Sequence, residues 1–119
     1  MSLTKIEIIT RPNKLDDLKI VLDAIGIAGM TVSQVYGFGM TKGHTEVYRG
    51  KVYSINLLPK VKVEIVVCDD NVQKIIESAR MVLNTGNLGD GKIFVTKIEN
   101  AVRIRTGETG IDAIIQSKT

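Results

Sequence analysis

Apolar and polar positions alternate most strictly between Lys60 and Val67, where Val61, Val63, Ile65 and Val67 fall on one side and Lys60, Lys62, Glu64 and Val66 on the other. A period of two belongs to an extended chain with one face buried, so this stretch is predicted as a half-buried strand. Lys5 to Thr10, rich in isoleucine, reads as a second strand. Pro12-Asn13 breaks it and opens a helix, with Asn13 as cap and Asp16 in the first turn, where a negative charge suits the helix dipole. There the period lengthens: Leu15, Leu18, Leu22 and Ile25 recur at helical spacing, Val21 widens the stripe, and Gly26 is placed to end it. Thr31 to Tyr36 is again β-rich. Asp69 or Asp70 can cap a second helix that turns Val72, Ile75, Ile76, Ala79 and Leu83 inward. Lys92 to Ile98 and Ala101 to Arg105 complete the set as strands.

The order β-α-β-β-α-β places paired helices on a single face of an antiparallel sheet, the ferredoxin-like α+β arrangement. Valine, isoleucine and leucine abound on these strands, so the sheet's other face calls for cover, and self-association is the economical way to provide it. All 119 residues fit one domain, with no repeats, low-complexity runs or linkers. Within it, Gly39 to Leu57 is too long for an ordinary hairpin and too polar for a core, which marks a functional or disordered segment. From about residue 107 to 119 a polar, mobile tail without a motif is expected.

Composition narrows the function. Apolar residues make up 44% of the chain, yet no uninterrupted apolar run approaches the roughly 18 residues needed to cross a bilayer. The opening Met1-Ser2-Leu3-Thr4-Lys5 has no charged leader followed by an apolar stretch, so a cytoplasmic address is expected. Cys68 is the single cysteine, which excludes an internal disulfide and a cysteine-based metal cage. A net charge of +3 with five aromatics and only scattered lysines argues against a nucleic-acid platform. The lone His44 reads as a surface residue; it supports neither a metal site nor a Ser/His/Asp set. Asp69-Asp70 is better explained as a helix start than as a catalytic pair. No catalytic residue is assigned, and the chain reads as a regulator rather than an enzyme.

The chemistry concentrates in Thr85-Gly86-Asn87-Leu88-Gly89-Asp90-Gly91-Lys92, directly before an apolar strand. Glycines admit positive φ and close approach, so successive amides can converge on an anion while the lysine adds a mobile charge. The Walker spacing is missing, so the ordinary P-loop reading fails. Alone, the segment fits a phosphate cradle or simply a tight turn feeding a strand. Downstream, the i, i+2 spacing of Arg103 and Arg105 puts both guanidiniums on one face of the expected strand, an arrangement suited to polyphosphate or to a charged sheet edge that discourages aggregation.

Taken together, these segments resemble the PII signal-transduction proteins. Thr85 to Ile98 is similar to that family's carboxy-terminal signature. Gly37-Phe38-Gly39, Lys42 to Gly50, Tyr53 and Leu58-Pro59-Lys60 through Val67 resemble its long exposed loop and the strand after it, and Arg11 to Leu18 with Gly29 to Val32 resembles its opening. The likeness runs from about Ile6 to Glu108. It implies a homotrimer that holds ATP or ADP, with magnesium as a companion ion, in clefts between subunits. Gly89, Asp90, Gly91 and Lys92 would cradle phosphate, with Arg103 and Arg105 reaching in from the adjoining subunit. Thr31 and the backbone near Glu64 and Val66 would seat adenine and ribose, while Gly37 and Gly39 let the chain pass close to the nucleotide. Lys60 matches the lysine that pairs with a carboxylate of 2-oxoglutarate. Residues 39–57 correspond to the T-loop, the arm that engages targets; Arg49 at its tip aligns with the arginine that plugs an Amt-type ammonium channel, and Tyr53 with a tyrosine that some bacteria uridylylate or adenylylate.

One departure is informative. Most 2-oxoglutarate-sensing members carry a basic residue and then a magnesium-binding glutamine after the Gly-Phe-Gly turn, where this chain has Met40-Thr41. A thioether is a poor ligand for a hard cation and threonine is too short to replace glutamine, which sets 2-oxoglutarate sensing in question but leaves ATP and ADP competition intact. An adenine-nucleotide-only sensor acting on another transporter or enzyme is the alternative. A trimeric metal-tolerance protein of the same general fold is the rival of a different class. Around Tyr53 the match is partial, since Lys51 and Val52 replace the usual small and acidic flanks, and Lys51 stands where cyanobacterial relatives carry a phosphorylated serine.

Overall fold

The computed structural model describes residues 2–27, 29–39, 47–48, 51–52 and 56–115. Strand β1 spans Leu3–Thr10, helix α1 Leu15–Ala24, strand β2 Thr31–Gly39, strands β3 and β4 Val47–Tyr48 and Lys51–Val52, strand β5 Asn56–Cys68, helix α2 Val72–Leu83, strand β6 Gly91–Ile98 and helix α3 Ile111–Ile114. Four strands form one antiparallel sheet in the order β2-β5-β1-β6, while β3 and β4 pair only with each other. With helices on a single face, this is the ferredoxin-like α+β fold expected from the sequence.

Alternation decides which face is covered. Ile6 and Ile8 of β1 and Val63, Ile65 and Val67 of β5 meet Leu18 and Leu22 of α1 and Ile75, Ala79 and Leu83 of α2 in one buried cluster. Fully burying each large aliphatic side chain contributes about 1.5–3 kcal/mol, so this cluster holds the helices to the sheet. Gly26 ends α1 as expected. At φ +89° it lets its own amide reach Asp23 O at 3.0 Å and the Ile27 amide reach Leu22 O at 2.9 Å, the paired bonds of a Schellman cap.

Three expectations need correction. Both helices are entered through a 3-10 turn, Pro12–Lys14 and Asp69–Asn71, and no side chain caps either start. Asp69 is drawn away because its carboxylate accepts from the Thr4 hydroxyl and the Lys97 ammonium; with Lys97 and then Thr4 stabilising the ionised form, its pKa falls below the ordinary carboxylate value. The predicted strand Ala101–Arg105 is reduced to a single bridge, Val102 with Thr109, followed by a turn at Ile104–Thr106, because the chain folds back on itself instead of joining the sheet. The uncovered face is charged at its centre rather than aliphatic. Lys62 Nζ lies 3.9 Å from Glu7 Oε1 and 3.5 Å from Glu64 Oε1, and Lys5 Nζ lies 3.7 Å from Glu64 Oε2. The same period of two that fills the core puts these residues opposite it. The stretch after Thr106 holds the Thr109 bridge and α3.

Candidate functional site

The Gly-rich turn is built around Asp90. Its carboxylate accepts from the Thr85 amide at 2.7 Å, the Gly86 amide at 3.1 Å and the Thr85 hydroxyl, and the Arg11 Nε stands 3.5 Å away. Those partners, the Thr85 hydroxyl and amide foremost, lower the Asp90 pKa to about 2. A carboxylate so occupied is the keystone of its loop, neither a base nor a free metal ligand. Thr10, fully buried at the end of β1, donates its hydroxyl to Asp90 O at 3.1 Å and ties the turn to the sheet.

Two cations close over the turn. Arg11 Nη2 donates to Leu88 O and Lys60 Nζ to Gly89 O, both at 2.6 Å. With these carbonyls drawn toward the cations, the amides of Leu88, Gly89 and Asp90 donate to no acceptor among the described residues. Successive unpaired amides beside cationic side chains form a cradle for an anion. Lys60 is half-buried, and its pKa is lowered chiefly by that burial and then by repulsion from Arg11, with Asp90 opposing both.

Two glycines are required by geometry. A Cβ on Gly91, which sits at φ +112°, would lie 1.8 Å from Ile9 O, so only glycine lets β6 start against β1. A Cβ on Gly89, at φ +92°, would crowd the Arg11 Nη2 at 3.2 Å. At Gly37 the nearest atom to where a Cβ would stand belongs to the Lys60 stem, at 3.4 Å. Gly37, Lys60, Gly89, Gly91 and Lys92 share a cleft of about 470 Å³ whose apolar walls include Ile9 and Phe94. Gly39 ends β2 opposite Asn56.

Thr31, Glu64 and Val66 lie elsewhere. Thr31 pairs with Glu64 in the sheet, and with Val66, Met30, Ile114 and Ile115 they line a second cleft of about 670 Å³. Thr31 and Gly37 stand six positions apart on β2, about 20 Å at the ~3.4 Å rise of an antiparallel strand. Arg103 belongs to this second group, for its guanidinium bonds the carbonyls of Asp112, Ala113 and Ile115. Arg105 is exposed in the following turn. The two arginines therefore do not share a strand face, since the strand is absent. Met40, Thr41, His44, Arg49 and Tyr53 lie outside the described residues.

Arg11 went unassigned in the sequence. The only local signal was its place between the end of a strand and a proline, too common to single it out. Among the described residues no cluster of three metal-ligating side chains forms, and no helix is long and apolar enough to cross a membrane.

Comparison with known proteins bears on this arrangement. The family model for "Nitrogen regulatory protein P-II" matches residues 3–108. A nitrogen regulatory protein P-II from Mesorhizobium japonicum is 56% identical over 110 residues, covering 92% of this chain and 98% of the relative. Among solved structures, Bacillus subtilis GlnK superposes with a TM-score of 0.80 at 46% identity, covering 95% of this chain and 99% of that one. The B. subtilis GlnK–ATP complex superposes at 0.79 with 41% identity, covering 94% and 97%.

Proposed function

The chain belongs to the nitrogen regulatory protein P-II family, and from that premise we propose that it is a homotrimer binding ATP and ADP in clefts between subunits and controlling a nitrogen-metabolism target, an ammonium transporter, through the segment at about residues 39–57. Membership makes it a regulatory signal transducer, not an enzyme.

The division of the site into two clefts on one chain, with Lys60 in one and Glu64 in the other about 14 Å apart along β5, supports this reading. A nucleotide held by one cleft from each of two copies would sit between subunits. At the first cleft the Leu88, Gly89 and Asp90 amides with Lys60 and Lys92 offer donors and charge to phosphate. At the second, Thr31, Glu64 and Val66 offer a partly apolar seat for adenine and ribose, and Arg103 and Arg105 lie within the same part of the fold. The ATP complex of the B. subtilis relative supports nucleotide as the ligand.

Regulation then follows from linkage: a ligand that prefers one arrangement of the 39–57 arm changes the affinity of whatever reads the arm. A tenfold change in partner affinity needs only about 1.4 kcal/mol of difference. On this reading Arg49 enters the target, a cytoplasmic regulator meeting the cytoplasmic mouth of its channel, and modification of Tyr53 would add bulk and negative charge that block insertion.

Met40-Thr41 favours a narrower version, an energy sensor that weighs ATP against ADP and does not respond to 2-oxoglutarate. Titration calorimetry with ATP and magnesium, with and without 2-oxoglutarate, separates the two. Unchanged ATP affinity supports the energy sensor, and a gain supports nitrogen-status sensing. No heat of ATP binding, or a single-chain mass in light scattering, would sink the shared core of both.

A further inference from the structure

Beyond β6 the chain closes a tight loop on itself. Asn100 Oδ1 accepts from the amides of Ala101 at 2.9 Å and Gly110 at 3.0 Å, Arg103 N donates to Glu108 O at 2.8 Å, and Gly107 N donates to Arg103 O at 2.7 Å. This loop delivers the short α3 to a guanidinium. Arg103 Nη2 donates to Asp112 O at 3.2 Å, to Ala113 O at 3.3 Å and to Ile115 O, while Nε stands 3.7 Å from Glu108 Oε1. The last carbonyls of a helix have no partner within it and carry the negative end of its dipole. Arg103 supplies the missing donor. One turn of helix without a fully buried residue does not hold by itself, and this charge helps to keep the segment in place beside the half-buried Ile111, Ala113 and Ile114. Its residues Ile111, Ala113, Ile114 and Ile115 line the same cleft as Thr31, Glu64 and Val66.

We propose that the turn from Gly110 to Ile115 is an internal competitor of the nucleotide: its carbonyls hold the Arg103 guanidinium that a nucleotide phosphate requires, so nucleotide binding and release of this turn are linked. The proposal rests on the nucleotide reading above. A phosphate oxygen bears full charge and can take a guanidinium in bidentate fashion, which neutral carbonyls cannot match. Once Arg103 turns to phosphate, the α3 carbonyls lose their donor and the turn opens. By reciprocity, whatever loosens the docked turn strengthens nucleotide binding by the same factor.

Gly110 provides the test. It sits at φ +64° and ψ −139°, a conformation nearly closed to other residues, and a Cβ there would meet nothing within 4 Å. Gly110→Val therefore strains the docked turn, while its Cβ itself meets no neighbouring atom. The expected result is a dissociation constant for ATP about fivefold lower, or better, in this variant. In the unaltered chain, hydrogen exchange at the amides of Ala113 and Ile115, which donate to Gly110 O and Ile111 O at 3.1 Å, should speed up on ATP saturation. Equal or weaker ATP binding by a variant that still melts cooperatively overturns the proposal, as does exchange that ATP leaves unchanged or slows, and in either case the nucleotide reading stands. Failure of the unaltered chain to bind ATP removes that reading and this proposal with it.

Discussion

Arg11 and Asp90 meet across the end of the sheet: the Arg11 Nε faces the Asp90 carboxylate at 3.5 Å while its Nη2 holds Leu88 O at 2.6 Å. One guanidinium thus pins the Gly-rich turn at two points 79 and 77 residues downstream. The turn's shape is set before any ligand arrives, which lowers the ordering cost of binding an anion there.

Acid should undo this arrangement. Because the folded chain holds the Asp90 pKa at about 2, below the ~3.9 of an unfolded aspartate, its contribution is fully present above about pH 4 and is lost as pH falls toward 2. Asp69 is shifted in the same direction and adds to this limb. Asp90→Asn should flatten the pH dependence of stability between about 4 and 2, lower the melting temperature at pH 7, and weaken ATP binding. Urea titrations at several pH values check it, and an acid limb as steep in the variant as in the parent would contradict the role given to Asp90.

Glycines of one turn should differ in cost. Gly86, at φ +80°, has nothing within 4 Å of the point where a Cβ would stand, so Gly86→Ala adds only backbone strain of about 1–3 kcal/mol. Gly91→Ala adds the same strain and also drives a methyl to 1.8 Å from Ile9 O in the neighbouring strand. It should cost clearly more than Gly86→Ala and weaken the β1–β6 pairing, seen as faster hydrogen exchange at the amides of Thr10 and Gly91. Equal destabilisation by both would show that β6 can start without a glycine.

Much of this was legible in the alternation, and the failures share a cause. Val61, Val63, Ile65 and Val67 declared the buried face of β5, and the Leu18, Leu22, Ile75 and Ala79 spacings declared the helix faces, because burial and backbone period coincide there. Arg103 and Arg105 misled because i, i+2 spacing fixes a shared face only if a strand forms, and the bonds of Asn100 and Glu108 bend the chain away first. Arg11 was invisible for a different reason: its partners at Leu88 and Asp90 are brought to it by the β1–β6 register, and no local pattern reports a pairing across so many residues.

Lys62 gives a measure of whether the charged face of the sheet is covered in solution. Its ammonium lies between Glu7 and Glu64, at 3.9 and 3.5 Å, and all three side chains are only 26–29% exposed in the single chain. Lys62→Met leaves two carboxylates facing each other with Lys5 alone to offset them. If that face stays wet, water screens the loss and the cost is under ~1 kcal/mol, reduced further by salt. If copies of the chain close over it, the carboxylates are stranded in a dry interface and breaking the pair costs about 3–5 kcal/mol. The self-associating reading predicts the larger figure and, because it acts through assembly, a variant whose melting temperature and mass both fall on dilution. Sedimentation of parent and Lys62→Met across a hundredfold range of concentration decides between them, because ~3–5 kcal/mol changes an association constant by about 150- to 5,000-fold. A variant that assembles like its parent and loses less than ~1 kcal/mol would place the quartet on an open surface and leave the cover of this face to other residues.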